Sequence, residues 1–238
     1  MKVIDQNLFG VGAISGVITR TLDLFPPYGF SISPTNNISS GYVQNCRIAF
    51  SKFLNIDESQ ILKQKQIHTD NILRVENSNS CADADAMITS TRNLCLTISI
   101  ADCIAILIYD QENQVIAAVH SGWQGTKLNI IGKVIDTLVN EYKSNPKNLK
   151  LYLSPSARVQ SYEVGREFLD FFPDETEYRN GKYYFDNKKR VLTQILEKNC
   201  KQENIIQSEL DTISNLNLQS FRRDKENAGR MSAYIMMK

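Results

Sequence analysis

Histidine is scarce in this chain: there are two, His68 and His120, in 238 residues. A centre of several metal ions ligated through imidazole is excluded by that count. No CxxC or HExxH frame is present, so neither a zinc ribbon nor a helical metalloprotease site can be read from spacing. Five cysteines, Cys46, Cys81, Cys95, Cys103 and Cys200, are an odd number without scaffold density. That usage suits a reducing compartment. Charge of one sign is missing too, since 27 basic and 26 acidic residues leave a net charge of +1. Without a global field, neither nucleic acid nor a membrane surface is an expected partner, and anion recognition has to be local. The longest apolar stretch, residues 94–109, carries Asp102 near its middle and falls short of the roughly 20 residues that cross a bilayer. The opening Met-Lys-Val-Ile-Asp-Gln-Asn has no apolar core of secretory length. A cytoplasmic location is expected. No linker, repeat or low-complexity segment divides the chain, so residues 1–238 are expected to form one domain.

The apolar pattern is mostly that of strands. Residues 11–20, 86–89, 94–100, 104–109, 115–119, 149–153 and 232–237 are short and rich in apolar or β-branched residues, as two-face-buried strands are. Looser alternation over 61–76 predicts strands around His68. Helical spacing appears over 41–54 with Ser40 as cap, after Gly125 with Thr126 as cap, over about 163–172, and from Asp186 to Asn199. Trp123, between two glycines, reads as a packing anchor. Strands outnumber helices without a βαβ rhythm. The expected class is therefore α+β, with mixed β-sheets flanked by helices.

Both histidines and Cys103, in Ala101-Asp102-Cys103, fall at expected strand ends. Two imidazoles and a thiolate suit zinc, with a fourth position left for water or substrate. The same three residues equally suit a thiolate nucleophile activated by a histidine. Spacing does not decide between them. Late in the chain, Arg222, Arg223 and Arg230 lie close together beside a Gly turn, and arginine forks bind carboxylate or phosphate oxygens in pairs.

Taken together, Gln66-Ile67-His68, Ala84-Asp85-Ala86-Met87-Ile88-Thr89, Ala101-Asp102-Cys103, His120-Ser121-Gly122-Trp123-Gln124-Gly125, Tyr162-Glu163-Val164-Gly165 and Ser220-Phe221-Arg222-Arg223 resemble the laccase-domain family. That family bears an old multicopper polyphenol oxidase label and is described as purine nucleoside phosphorylases with adenosine deaminase activity. The resemblance implies a catalytic zinc on His68, Cys103 and His120. It also implies phosphorolysis of adenosine, inosine and 5'-methylthioadenosine, deamination of adenosine, and a cysteine hydrolase-like layered fold. Arg222, Arg223, Arg20 and Asn45 are then assigned to phosphate and nucleoside, and Asp102 to orienting a ligand histidine. Copper could occupy the same three ligands, but not as a multicopper cluster, because two histidines cannot supply a mononuclear copper and a three-copper centre. A Cys-His hydrolase of the amidase type, such as one that edits peptidoglycan precursors, and a non-catalytic family member are the alternatives.

The chain departs from the family pattern at Thr69, Ile100, Gln124, Ser154 and Asp211. Gln124 stands where the family carries an arginine, which removes a positive charge from the expected phosphate site.

Overall fold

Two of the three seven-residue strands, Ile104–Asp110 and Val115–Ser121, are completely buried and form an antiparallel hairpin with Ile106 opposite Val119. Their residues alternate between two cores, as the period of two in a strand requires. Ala105, Leu107 and Tyr109 enter one core, while Ile104, Ile106 and Ile108 enter the other. A strand greasy on both faces needs cover on both, and the rest of the chain provides it.

The computed structural model describes residues 1–78 and 82–238, so Cys81 lies outside it. The hairpin is central to a six-stranded sheet in the order Ile205–Gln207, Lys150–Leu153, Ile104–Asp110, Val115–Ser121, Ala86–Thr89, Ile72–Arg74. One face packs on helices Ile130–Tyr142 and Asn187–Glu197 through Ile131, Val134, Ile135, Val191 and Ile195. The other face meets a five-stranded sheet in the order Val3–Ile4, Ala13–Ile18, Met231–Met237, Cys95–Ile100, Ile61–Leu62. Leu96, Ile98, Ala233 and Ile235 form that interface with Leu107, Tyr109 and Ala118. Helix Ser40–Leu54 covers the outer face of the second sheet through Cys46 and Phe50. The layers run helix, sheet, sheet, helix, the mixed α+β architecture expected from the strand-rich pattern. A third sheet, Glu163–Val164, Lys182–Phe185, Thr176–Arg179, stands apart from these two.

Three local expectations are corrected. Ser39, not Ser40, caps the first helix, its side chain accepting from the Tyr42 N–H at 3.3 Å. Thr126 caps nothing: its hydroxyl meets that of Ser121 at 2.8 Å. The chain breaks after the short helix Trp123–Lys127 and restarts at Asn129, left-handed at φ 56°, whose side chain accepts from Gly132 N. No helix starts at Glu163, because Glu163 and Val164 pair as a strand with Tyr184 and Tyr183, leaving a helix of four residues, Phe168–Phe171. Gly165 in this segment adds the backbone freedom that disfavours a helix. No described helix is long and apolar enough to cross a membrane.

Because Ile106 is fully buried in the central hairpin and Ile206 is 41% exposed at the sheet edge, their truncations should separate clearly. Ile106→Ala is expected to cost about 2–5 kcal/mol and Ile206→Ala no more than about 0.5 kcal/mol. Urea unfolding midpoints measured side by side check the contrast.

Candidate metal and active site

The chain crosses from the five-stranded to the six-stranded sheet at Ala101-Asp102-Cys103, between strands Cys95–Ile100 and Ile104–Asp110. Cys103 therefore sits at one open end of the sandwich. The hairpin register, with Ile104 opposite Ser121, continues to bring Cys103 beside Gly122, and Ala105 pairs with His120. In the next strand Ala86 pairs with Val119, and this register continues to place Asp85 beside His120. His68 arrives from the loop after strand Ile61–Leu62. Antiparallel pairing thus brings together residues that are far apart in sequence.

The ligand atoms of His68, Cys103 and His120 all lie within 4.8 Å of one another. The two imidazole rings meet edge to face at 4.9 Å between centroids. His120 is buried, Cys103 half-buried and His68 exposed. A β-carbon at Gly122 would lie 2.9 Å from Cys103 Sγ and 3.2 Å from His68 Cδ2. The space that a side chain would fill belongs instead to the cluster.

One carboxylate organises both histidines. Asp85 is fully buried. Its Oδ1 accepts from His120 Nδ1 at 2.8 Å and from His68 N at 3.1 Å. Its Oδ2 accepts from Thr69 N at 2.7 Å, Thr69 Oγ1 at 3.0 Å and Ile67 N at 3.3 Å. Burial alone would raise its pKa, but the bonds from His120 and Thr69 outweigh that and hold it at about 2. His68 is left-handed at φ 62°, a strained conformation for a non-glycine residue that this carboxylate clamps. With Nδ1–H committed to Asp85, His120 turns its other nitrogen to the cluster.

Burial pushes the Cys103 thiol up, and the imidazoles of His120 and His68 overcome it, leaving the group more acidic than an ordinary thiol. His120 is the converse: burial opposes its charge, while the Cys103 sulfur and Asp85 raise its affinity for a proton. A thiolate beside imidazole is both a soft metal donor and a nucleophile.

Asp102 does not orient a histidine. Its carboxylate accepts from Thr212 Oγ1 and from Arg222 N, each at 2.7 Å, and its backbone is left-handed at φ 92°. The orienting carboxylate is Asp85, which lies in the motif Ala84 to Thr89 but whose role no local feature of the sequence marks. Of the expected anion ligands, Arg223 is consumed structurally. It donates to the carbonyls of Thr212, Ile213, Asn215 and Leu218 and grips Asp224 with two nitrogens. Arg20 lies 3.6 Å from the same Asp224. Asn45 is exposed on helix Ser40–Leu54, and Gln124 is exposed on the short helix Trp123–Lys127. Arg222 donates to Glu163 O at 2.7 Å and lies over Tyr162. None of these five lines the cavity of about 690 Å³ that opens on the three ligands. The arginine that does is Arg230, with Lys63 and Lys65 beside it. Trp123 packs on Phe168 and Phe171, as expected of an anchor.

The fold and site define a layered α+β protein with a His-Cys-His cluster at the end of a sheet sandwich. The profile described as multi-copper polyphenol oxidoreductase laccase matches residues 28–238, and the chain belongs to that family. It is 35% identical over 179 residues to a purine nucleoside phosphorylase of Clostridium acetobutylicum, covering 73% of this chain and 75% of that one. A purine nucleoside phosphorylase of Aquifex aeolicus is 31% identical over 194 residues, 81% of this chain and 90% of that one. Among solved structures, YlmD from Geobacillus stearothermophilus superposes with a TM-score of 0.89 at 21% identity, covering 96% and 93% of the two chains. The hypothetical protein YfiH of Bacillus licheniformis gives 0.88 at 22% identity, covering 95% and 93%.

Two substitutions test the construction of the cluster. Asp85→Asn keeps the shape but loses the charge that several N–H groups share, and it should lower metal affinity about 10- to 100-fold. Gly122→Ala puts a methyl group against the thiol and should weaken metal binding in a chain whose circular dichroism is unchanged. Competitive chelator titration reads both.

Proposed function

We propose that this protein is a zinc-dependent purine nucleoside phosphorylase acting on adenosine, inosine and 5'-methylthioadenosine, with adenosine deaminase activity. The observation that carries the reading is the convergence of His68, Cys103 and His120 on a cavity that also holds Arg230. The names of the relatives point the same way. A soft thiolate and two imidazoles at this spacing fit one zinc ion, and the Gly122 cradle leaves the cluster its room. When bound there, zinc supplies a Lewis acid for a substrate oxygen and acidity for a water.

The protein's own part is electrostatic. In phosphorolysis a phosphate oxygen bonds to the sugar C1', the C1'–N9 bond breaks, and the purine leaves with the electron pair. Arg230, with Lys63 and Lys65 nearby, supplies the positive charge that brings the dianion beside the sugar. Arg222, Arg223, Arg20 and Asn45 are set aside for this role, since their side chains lie off the cavity. In deamination water adds at the purine 6-position and ammonia leaves. Asp85 holds His120 in one tautomer for either reaction.

The Asp85–His120 bond favours one second reading, a Cys-His hydrolase without metal. Cys103 would then be the nucleophile, His120 the base and Asp85 the group that orients it. Cys103→Ala separates the two. On the zinc reading it loses bound metal and turnover together, whereas Cys200→Ala loses neither. Loss of turnover with full zinc occupancy by elemental analysis would favour the hydrolase.

The phosphate assignment has its own measurement. Removing a charged hydrogen-bond donor costs about 1.5–3 kcal/mol, so Arg230→Gln should raise the phosphate KM for inosine about tenfold or more, and Asn45→Ala should leave it unchanged. Ribose 1-phosphate formation from inosine against phosphate concentration gives both values. Ammonia release from adenosine without any phosphate dependence would remove phosphorolysis and leave a deaminase.

A further inference from the structure

Among the cavity residues outside the cluster, two stand out. Phe221 lines the cavity and is 42% exposed. Arg230 lies over its ring at 5.5 Å from the centroid, and among the described residues no other ring or cation stacks on it. Its position is set firmly. Ser220, fully buried, accepts from Arg223 N at 3.2 Å, and the Arg222 N–H donates to Asp102 at 2.7 Å. Asp102 precedes Cys103, so one hydrogen bond registers Phe221 against the thiolate. The second residue is Gln64, 8% exposed, which lines the same cavity. Neither its Oε1 nor its Nε2 has a hydrogen-bond partner within the protein. Both atoms are closed to solvent, which is costly for an amide left unmet, and a turn of the side chain would offer them to a ligand edge carrying one donor and one acceptor.

We propose that Phe221 and Gln64 form the purine-base subsite, with Phe221 stacking on the ring and the Gln64 amide reading its edge. A side-chain amide matches the amino donor and N7 acceptor of adenine, a pairing in which both bonds are made. Hypoxanthine presents two acceptors along that edge and satisfies only the NH2. The site therefore favours 6-aminopurine nucleosides. Asp102 is a positioning residue for the platform. The subsite rests on the nucleoside reading above, but it is tested by binding rather than turnover.

Rapid ultrafiltration of zinc-loaded protein with adenosine and with inosine in phosphate-free buffer, read before turnover as checked by chromatography of the filtrate, provides the test. Wild type should bind adenosine about three- to tenfold more tightly than inosine, the worth of one neutral hydrogen bond. Phe221→Leu should weaken both about tenfold, within the range for one stacked base, and Phe221→Trp should restore both. Gln64→Met, close in shape, should bring adenosine down to the level of inosine. Unchanged binding in Phe221→Leu, persistent discrimination in Gln64→Met, or no adenosine binding by wild type would overturn the subsite. If binding follows the expected pattern and no ribose 1-phosphate is made, the phosphorylase reading fails and the subsite stands.

Discussion

The site depends on a single buried carboxylate. Asp85 joins two elements, the end of strand Val115–Ser121 and the loop that carries His68. A carboxylate taken fully out of water is costly unless its lone pairs are met, and here the groups that meet them are those whose placement matters. The energy that makes Asp85 tolerable in the core and the energy that fixes the imidazoles are the same.

Strain is handled in the same manner. His68 at φ 62° and Asp102 at φ 92° are both left-handed without being glycine, and each is restrained by carboxylate bonds, the first by Asp85 and the second by its own side chain to Thr212 and Arg222. Left-handed residues of this kind cost of order 1–3 kcal/mol each and persist where the surroundings over-determine them. His68 belongs to the cluster and Asp102 immediately precedes Cys103. The layered core beneath supplies the rigidity, since both strands of the central hairpin are buried along their whole length.

Much of this could be read in advance for physical reasons. Runs such as Ile104–Tyr109 carry their own strand signature, and the rarity of histidine singles out His68 and His120. Cys103 is marked by the Asp beside it in an otherwise apolar stretch. Asp85 was hidden because its role comes from cross-strand register, which a single sequence does not encode locally. The arginines misled for a related reason. Arg223 and Arg230 look equivalent in a basic loop, but Arg223 faces four carbonyls inward, whereas Arg230 immediately precedes the strand Met231–Met237 that leads back into the sandwich. The short helix Phe168–Phe171 was over-extended because β-pairing of Glu163 and Val164 overrode a weak helical pattern.

The crossover at Ala101-Asp102-Cys103 has a mechanical consequence. Cys103 belongs to the point where the chain leaves one sheet for the other, His120 to the six-stranded sheet, and His68 to the loop that follows the edge of the five-stranded sheet. An ion shared by the three would act as a rivet through both sheets, resisting any sliding of one across the other. Its binding energy would then add to the stability of the whole sandwich, by about 2.7 kcal/mol for free ion at a hundred times its dissociation constant. Thermal unfolding of the full chain would thus behave as a gauge of how well the rivet is seated.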